Sequence, residues 1–251
     1  MAEPILTWSI LIVAAFLGGG INAVAGGGSF FTFPALVWAG VPPVAANASG
    51  TMALLPGYMA STWGFREDLR APERLSMGAV LATSLIGGSI GAGLLLITPD
   101  DVFSGIVPWL LLAATLLFAF GPLLLKRIST GDGESSPALQ LTALLFVCIY
   151  GGYFNGGLGI VLLAVFGLLG HSGLNRMQGL KNLISAVLTA IAVALYALGG
   201  AIVWLQALVM MLSAIAGGYA VARLARKLPE STIRFVVIAT GAIMTVVFFL
   251  N

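Results

Sequence analysis

Charge is what this sequence has least of. Asp, Glu, Lys and Arg together make up 8% of its 251 residues, against about a quarter in an ordinary soluble domain. Histidine and cysteine occur once each, as His171 and Cys148. A lone cysteine excludes an internal disulfide and leaves the redox compartment unread. No metal-ligand spacing, nucleophile–histidine pair or phosphate-cradling glycine loop occurs, so neither catalysis nor a cofactor is expected. The nine acids, Glu3, Glu67, Asp68, Glu73, Asp100, Asp101, Asp132, Glu134 and Glu230, all fall in a terminus, a turn or a linker. A chain with no carboxylate inside an apolar segment lacks the usual intramembrane proton relay or cation site. The formal net charge of +2 gives no basic surface for nucleic acid, and no such partner is expected.

What the chain has instead is apolar sequence and glycine. Hydrophobic residues make up 59% of it and the mean hydropathy is +1.07, so the lipid bilayer is its solvent. Glycines, prolines and charges divide it into ten apolar segments. These are Ile5–Ala25, Phe30–Val41, Ala48–Phe65, Leu75–Ile97, Val102–Leu125, Leu139–Phe154, Ile160–Gly170, Leu174–Leu198, Ala201–Leu224 and Ile233–Leu250. The first lacks the basic flank of a signal peptide and has a counterpart further on, so it reads as a retained span.

That counterpart belongs to an internal duplication. Adding 131 pairs Gly20 with Gly151, Gly26 with Gly157 and Gly28 with Gly159, while adding 130 pairs Gly87 with Gly217, Gly88 with Gly218 and Pro99 with Pro229. The chain therefore reads as repeat 1 over 1–126, a polar Gly/Ser-rich linker over 127–137 and repeat 2 over 138–251. The second segment of each repeat is too short for an ordinary helical crossing. Short, glycine-interrupted segments at matching places in two halves point to a transporter's binding site.

Lys and Arg set the orientation. Arg66, Arg70, Arg74, Lys126, Arg127, Arg176, Arg223, Arg226, Lys227 and Arg234 fall on one side if the segments alternate, and the opposite turns carry no Lys or Arg. The positive-inside rule makes that side cytoplasmic and puts both termini outside. Each repeat has five segments, so the two copies are inverted about an axis in the membrane plane. The fold class expected is an all-α polytopic membrane protein of two inverted repeats. Each repeat carries a glycine-broken hairpin, fully crossing or re-entrant.

The residues with chemistry lie at the breaks and on the helix after each. Interrupted helices at Gly26-Gly27-Gly28-Ser29 and Gly156-Gly157-Leu158-Gly159 free backbone N–H groups, which suit an anion. Glycines in membrane helices commonly serve only close packing, as Gly87 and Gly91 are expected to do. Around the breaks stand Asn22, Ser29, Asn47, Ser49 and Thr51, then Asn155, Gln178 and Asn182. Their neutral donors hold an oxyanion loosely enough to release it, although interhelical hydrogen bonding is the blander use. Lys181 is the one cation well inside an apolar segment. It offsets a negative guest or else snorkels to the cytoplasmic interface. His171 reads as a solvated loop residue, Cys148 as a small buried hydrophobe, and Trp8, Trp38, Trp63 and Trp109 as interfacial belt residues.

Two spaced stretches resemble a known family. Gly20-Ile-Asn-Ala-Val-Ala-Gly-Gly-Gly-Ser29, followed by Pro34 and Ala46-Asn-Ala-Ser-Gly-Thr-Met-Ala-Leu-Leu-Pro-Gly57, is similar to the first repeat signature of the TauE/SafE sulfite exporters, also called the toluene sulfonate uptake permease group. Gly152-Tyr-Phe-Asn-Gly-Gly-Leu-Gly159 and Gln178-Gly-Leu-Lys-Asn-Leu183 are similar to the second, with Leu158 standing where glycine is common. The resemblance implies an inner-membrane carrier of small sulfur-containing anions such as sulfite, sulfoacetate or another organosulfonate. It also implies that the glycine runs, Asn47–Thr51 and Lys181-Asn182 lie near the translocation path. An anion channel and a non-transporting sensor or scaffold remain as rivals, and homo-oligomerisation is left open.

Overall fold

A computed structural model describes residues 4–72, 75–128, 136–169, 174–225 and 230–250. His171, most of the linker, and Glu3, Glu73, Arg74, Asp132, Glu134, Arg226 and Lys227 lie outside the described residues. Among those described there are ten α-helices and no strand. They are α1 (Pro4–Ala25), α2 (Ser29–Trp38), α3 (Pro43–Gly64), α4 (Met77–Ile97), α5 (Asp100–Ile128), α6 (Pro137–Tyr153), α7 (Leu158–Leu168), α8 (Leu174–Leu198), α9 (Trp204–Ala225) and α10 (Glu230–Leu250). Helix is the form that satisfies every backbone group inside one segment, which lipid requires. The ten segments of the sequence are these ten helices, with ends shifted by a few residues.

Four helices hold stretches long and apolar enough to cross a membrane, at Pro4–Ala23, Met77–Ile97, Asp100–Leu117 and Arg176–Leu198. α2 and α7, with 10 and 11 residues, reach only about 15 Å at 1.5 Å per residue, half of a typical hydrocarbon core. α3 is 22 residues long, but its buried positions include Asn47, Ser49 and Thr51. Its start lies ahead of the apolar segment because Pro43 occupies the first turn. The Asp100 Oδ1 accepts from the Val44 N–H at 2.8 Å there. That cap reaches across from α5 and was not visible in an acid that reads as a turn residue. α4 and α6 are capped locally, by Ser76 and Ser136.

Helix pairings come in matched couples. α1 packs on α9 and α6 on α4, α3 on α9 and α8 on α4, and α5 on α7 and α10 on α2, while α3 meets α8 and α5 meets α10. Glycine makes the two most extensive crossings close. Gly19 of α1 abuts Ala214 of α9, and Gly217 of α9 abuts Phe16 of α1. Likewise Gly91 of α4 faces Ile149 of α6, and Gly152 faces Gly88. At all four a methyl group would collide with backbone, as small-residue crossings of membrane helices require. Gly87 meets Cys148 at the same α4–α6 crossing, and Cys148 is buried there as a small hydrophobe. Trp38, Trp63 and Trp109 are exposed on the outer surface.

Candidate anion site at the two hairpin tips

The chain turns back on itself at both glycine runs. The α1–α2 break runs through Gly26, Gly27 and Gly28, with Gly26 at φ +77. The α6–α7 break runs from Phe154 to Gly157, with Asn155 at φ +55 and Gly157 at φ +68. Left-handed backbone suits glycine and, among other residues, asparagine. Gly159 lies in the first turn of α7, and Ser29 is the first residue of α2, so both stand one step inside the helices they were expected to interrupt. The short helices begin with free amides. Among the described residues, Gly27, Gly28, Ser29, Gly157 and Gly159 donate no backbone hydrogen bond, as unspent helix N-termini do.

The two tips touch. A methyl group on Gly26 would sit 2.9 Å from the Gly159 Cα, so the lack of a side chain on Gly26 is what allows this approach. Ser29 Oγ donates to the Asn155 carbonyl at 3.5 Å. Tyr58, buried on α3, donates from its hydroxyl to Asn155 Oδ1 at 3.2 Å, and the Asn22 side chain adjoins the same hydroxyl. Two amide atoms at this junction are buried without a partner, Asn22 Oδ1 and Asn155 Nδ2. An orphan of that kind costs about 1–3 kcal/mol; Asn155 Nδ2 is a donor that an anion would satisfy, whereas Asn22 Oδ1 is an acceptor that it would not.

Other expected residues are distributed unevenly around the junction. Asn47 Nδ2 donates to the Tyr153 carbonyl at 3.0 Å, anchoring α3 to the root of the second hairpin. Ser49 instead accepts from the Val203 N–H at 2.9 Å. Its hydroxyl is committed to the start of α9 and is not brought to the tips. Thr51 and Asn182 are buried and Gln178 is half-buried. No hydrogen bond joins Gln178, Lys181 or Asn182 to either tip.

Lys181 is 1% exposed, so its ammonium does not snorkel into water. The segment after α3, over 65–72, straps across the start of α8. Phe65 and Leu69 pack against Gly179, and Arg176 donates to the Ala71 carbonyl, which lays the strap over the first turns of α8. Among the described residues no acid pairs with Lys181: the carboxylates whose exposure is described, Glu67, Asp68, Asp100 and Asp101, are all exposed. Among the described residues the only ion pair is Arg66–Glu67, and no acid, histidine or cysteine cluster could hold a metal. An apolar cavity lies under the strap, lined by Pro72, Leu75, Val80, Leu144, Phe166 and Leu180, away from the tips.

Tyrosines were the part of the site that residue-type reasoning missed. Besides Tyr58, Tyr150 donates to the Gly156 carbonyl and Tyr196 to the Gly152 carbonyl, so three hydroxyls hold the second tip. Nothing in the sequence separates them from ordinary apolar-segment tyrosines.

The model of the sulfite exporter TauE/SafE family matches residues 11–248, nearly the whole chain and both hairpins. The chain belongs to the TauE/SafE family. Its relatives include a protein of Haemophilus influenzae, 29% identical over 241 residues, covering 94% of this chain and 92% of its own. Another, the ORF9 product of a Sinorhizobium species, is 30% identical over 222 residues and covers 83% and 79%. YfcA of Escherichia coli K12 is 27% identical over 253 residues and covers 98% and 90%. All three are named probable membrane transporter proteins. No solved structure matches the chain. This TauE/SafE protein is thus a multi-pass membrane transporter, and its family is not one of enzymes.

Proposed function

We propose that this TauE/SafE protein carries a small sulfur-containing anion, such as sulfite, sulfoacetate or another organosulfonate, across the cytoplasmic membrane by alternating access. The guest binds where the hairpin tips meet. One observation carries the reading: the two tips that meet through Gly26–Gly159 and Ser29–Asn155 hold unspent amides at Gly27–Ser29, Gly157 and Gly159 and the orphan Asn155 Nδ2. Helix N-termini and amide donors are anion ligands. The charge that balances the guest comes from Lys181, a buried cation with no acid paired to it among the described residues. Burying an isolated ammonium costs several kcal/mol, and an anion offsets that cost.

The two repeats are inverted about an axis in the membrane plane, and rocking of one against the other exposes the tips to each side in turn. The matched helix pairings support this arrangement, and the contact between Gly26 and Gly159 fits a closed state better than an open pore. Both termini face outside and the strap faces the cytoplasm.

The test is efflux of sulfite and a panel of sulfonates from proteoliposomes, comparing wild type with Lys181→Ala and Lys181→Met. Both variants are expected to insert normally and lose transport. Wild-type kinetics in either would remove Lys181 from the mechanism, and stepwise single-channel currents would favour a channel.

A further inference from the structure

Beyond the tips, the buried face of α8 carries polar groups with no structural employment. Lys181, Ser185 and Thr189 are spaced four residues apart, which stacks them on one face about 6 Å apart along the axis. Lys181 is 1% exposed and the other two 0%. Neither Ser185 Oγ nor Thr189 Oγ1 has a hydrogen-bond partner.

A buried Ser or Thr in a membrane helix has an easy partner, the carbonyl one turn back. This protein uses it repeatedly: Ser9, Thr62, Ser84, Thr98, Ser104 and Thr245 each donate to the carbonyl four residues earlier. Ser185 and Thr189 decline that bond. Thr32 and Thr115 are also unpartnered, but each abuts a glycine of a crossing helix, Gly50 and Gly241, where tight packing fixes the hydroxyl. No glycine contact of that kind accounts for Ser185 or Thr189.

The same face leads to the second hairpin. Seven residues past Thr189, Tyr196 donates to the Gly152 carbonyl, just ahead of the second tip. In repeat 1 the corresponding positions, found by subtracting 131, are Gly50, Leu54 and Tyr58. They carry no charge, and the one hydroxyl among them is bonded to Asn155. The donor face therefore exists on α8 alone.

We infer that Lys181, Ser185 and Thr189 form a ladder of oxyanion-binding stations along α8, from the strap-covered end towards the hairpin tips. Each hydroxyl donates to an oxygen of the passing anion while the Lys181 ammonium supplies the countercharge. A guest with two or more oxygens can hold one station while reaching for the next. This rests on the transport reading above and adds Ser185 and Thr189 as residues that set affinity.

The test measures sulfite flux in proteoliposomes for wild type, Ser185→Ala, Thr189→Val and Thr189→Ser, with thermal unfolding of each purified protein. Losing a hydrogen bond to a charged guest should raise the sulfite KM about tenfold in Ser185→Ala and Thr189→Val, with kcat changed far less. Thr189→Ser keeps the hydroxyl and should keep the KM. Deleting an unbonded buried hydroxyl should leave melting temperatures unchanged or raised, whereas a structural role for either hydroxyl predicts a lowered melting temperature with KM unmoved. A KM within about twofold of wild type in both deletions, in a protein that transports, overturns the ladder alone. A wild type that moves neither sulfite nor any sulfonate overturns the transport reading and the ladder with it.

Discussion

Asn155 concentrates the demands made on single residues here. Its backbone stands at φ +55, its carbonyl accepts from Ser29 and its Oδ1 from Tyr58, and its Nδ2 is free. Asn155→Gly keeps the turn geometry but removes both the Nδ2 donor and the acceptor of Tyr58, so it should insert with a somewhat lowered melting temperature and show weakened anion affinity in flux assays. Asn155→Val puts a β-branched residue in left-handed backbone and should cost about 1–2 kcal/mol of stability, read as a lower melting temperature in detergent. Gly26→Ala should keep the tips apart, because its methyl would sit 2.9 Å from the Gly159 Cα, and flux should fall while the protein still inserts. Much of this was legible as residue type: an asparagine in a glycine run and a lysine without acids invite the reading. The Tyr58 and Asp100 contacts were not, since each joins positions far apart in sequence and depends on how helices are laid together.

At the scale of helices, the account turns on which glycines face another backbone. Gly91 and Gly93 look alike in the sequence, two residues apart in α4. Gly91 sits against Ile149 and Tyr153 of α6, whereas a methyl on Gly93 meets nothing within 4 Å. Gly91→Leu should therefore overpack the α4–α6 crossing by at least 1–3 kcal/mol, roughly the usual range, while Gly93→Leu is tolerated. Size-exclusion profiles and melting temperatures of the two variants check this directly. The ten helices were plain from the sequence, because apolar length and glycine breaks determine them, and the offsets of 131 and 130 between glycines are a property of the sequence itself. Which face of a helix meets which neighbour was not, since period and composition do not choose partners. The hidden role of Ser185 and Thr189 belongs to the same gap, for an orphan hydroxyl is defined only by what surrounds it.

At the scale of the molecule, the matched pairings of α1–α9 with α6–α4 fit two copies related by a two-fold axis, and the proposed orientation follows from Lys and Arg placement. It can be read out by labelling with a membrane-impermeant thiol reagent in a Cys148→Ala background. Leu198→Cys, at an exposed helix end, should react in intact cells, and Arg70→Cys, on the exposed strap, only after permeabilisation. The reverse pattern would invert the topology. The overall class, helical and membrane-spanning, was available from composition alone. The meeting of the two tips was not, because it depends on the packing of all ten helices.

The central claim is that the junction selects its guest by negative charge rather than by size or shape. Counterflow of sulfite in proteoliposomes, competed by methanesulfonate or by its neutral near-isostere methanesulfonamide, tests this most directly. The anion is expected to compete and the neutral compound to leave sulfite exchange unchanged. Equal inhibition by both would contradict the account.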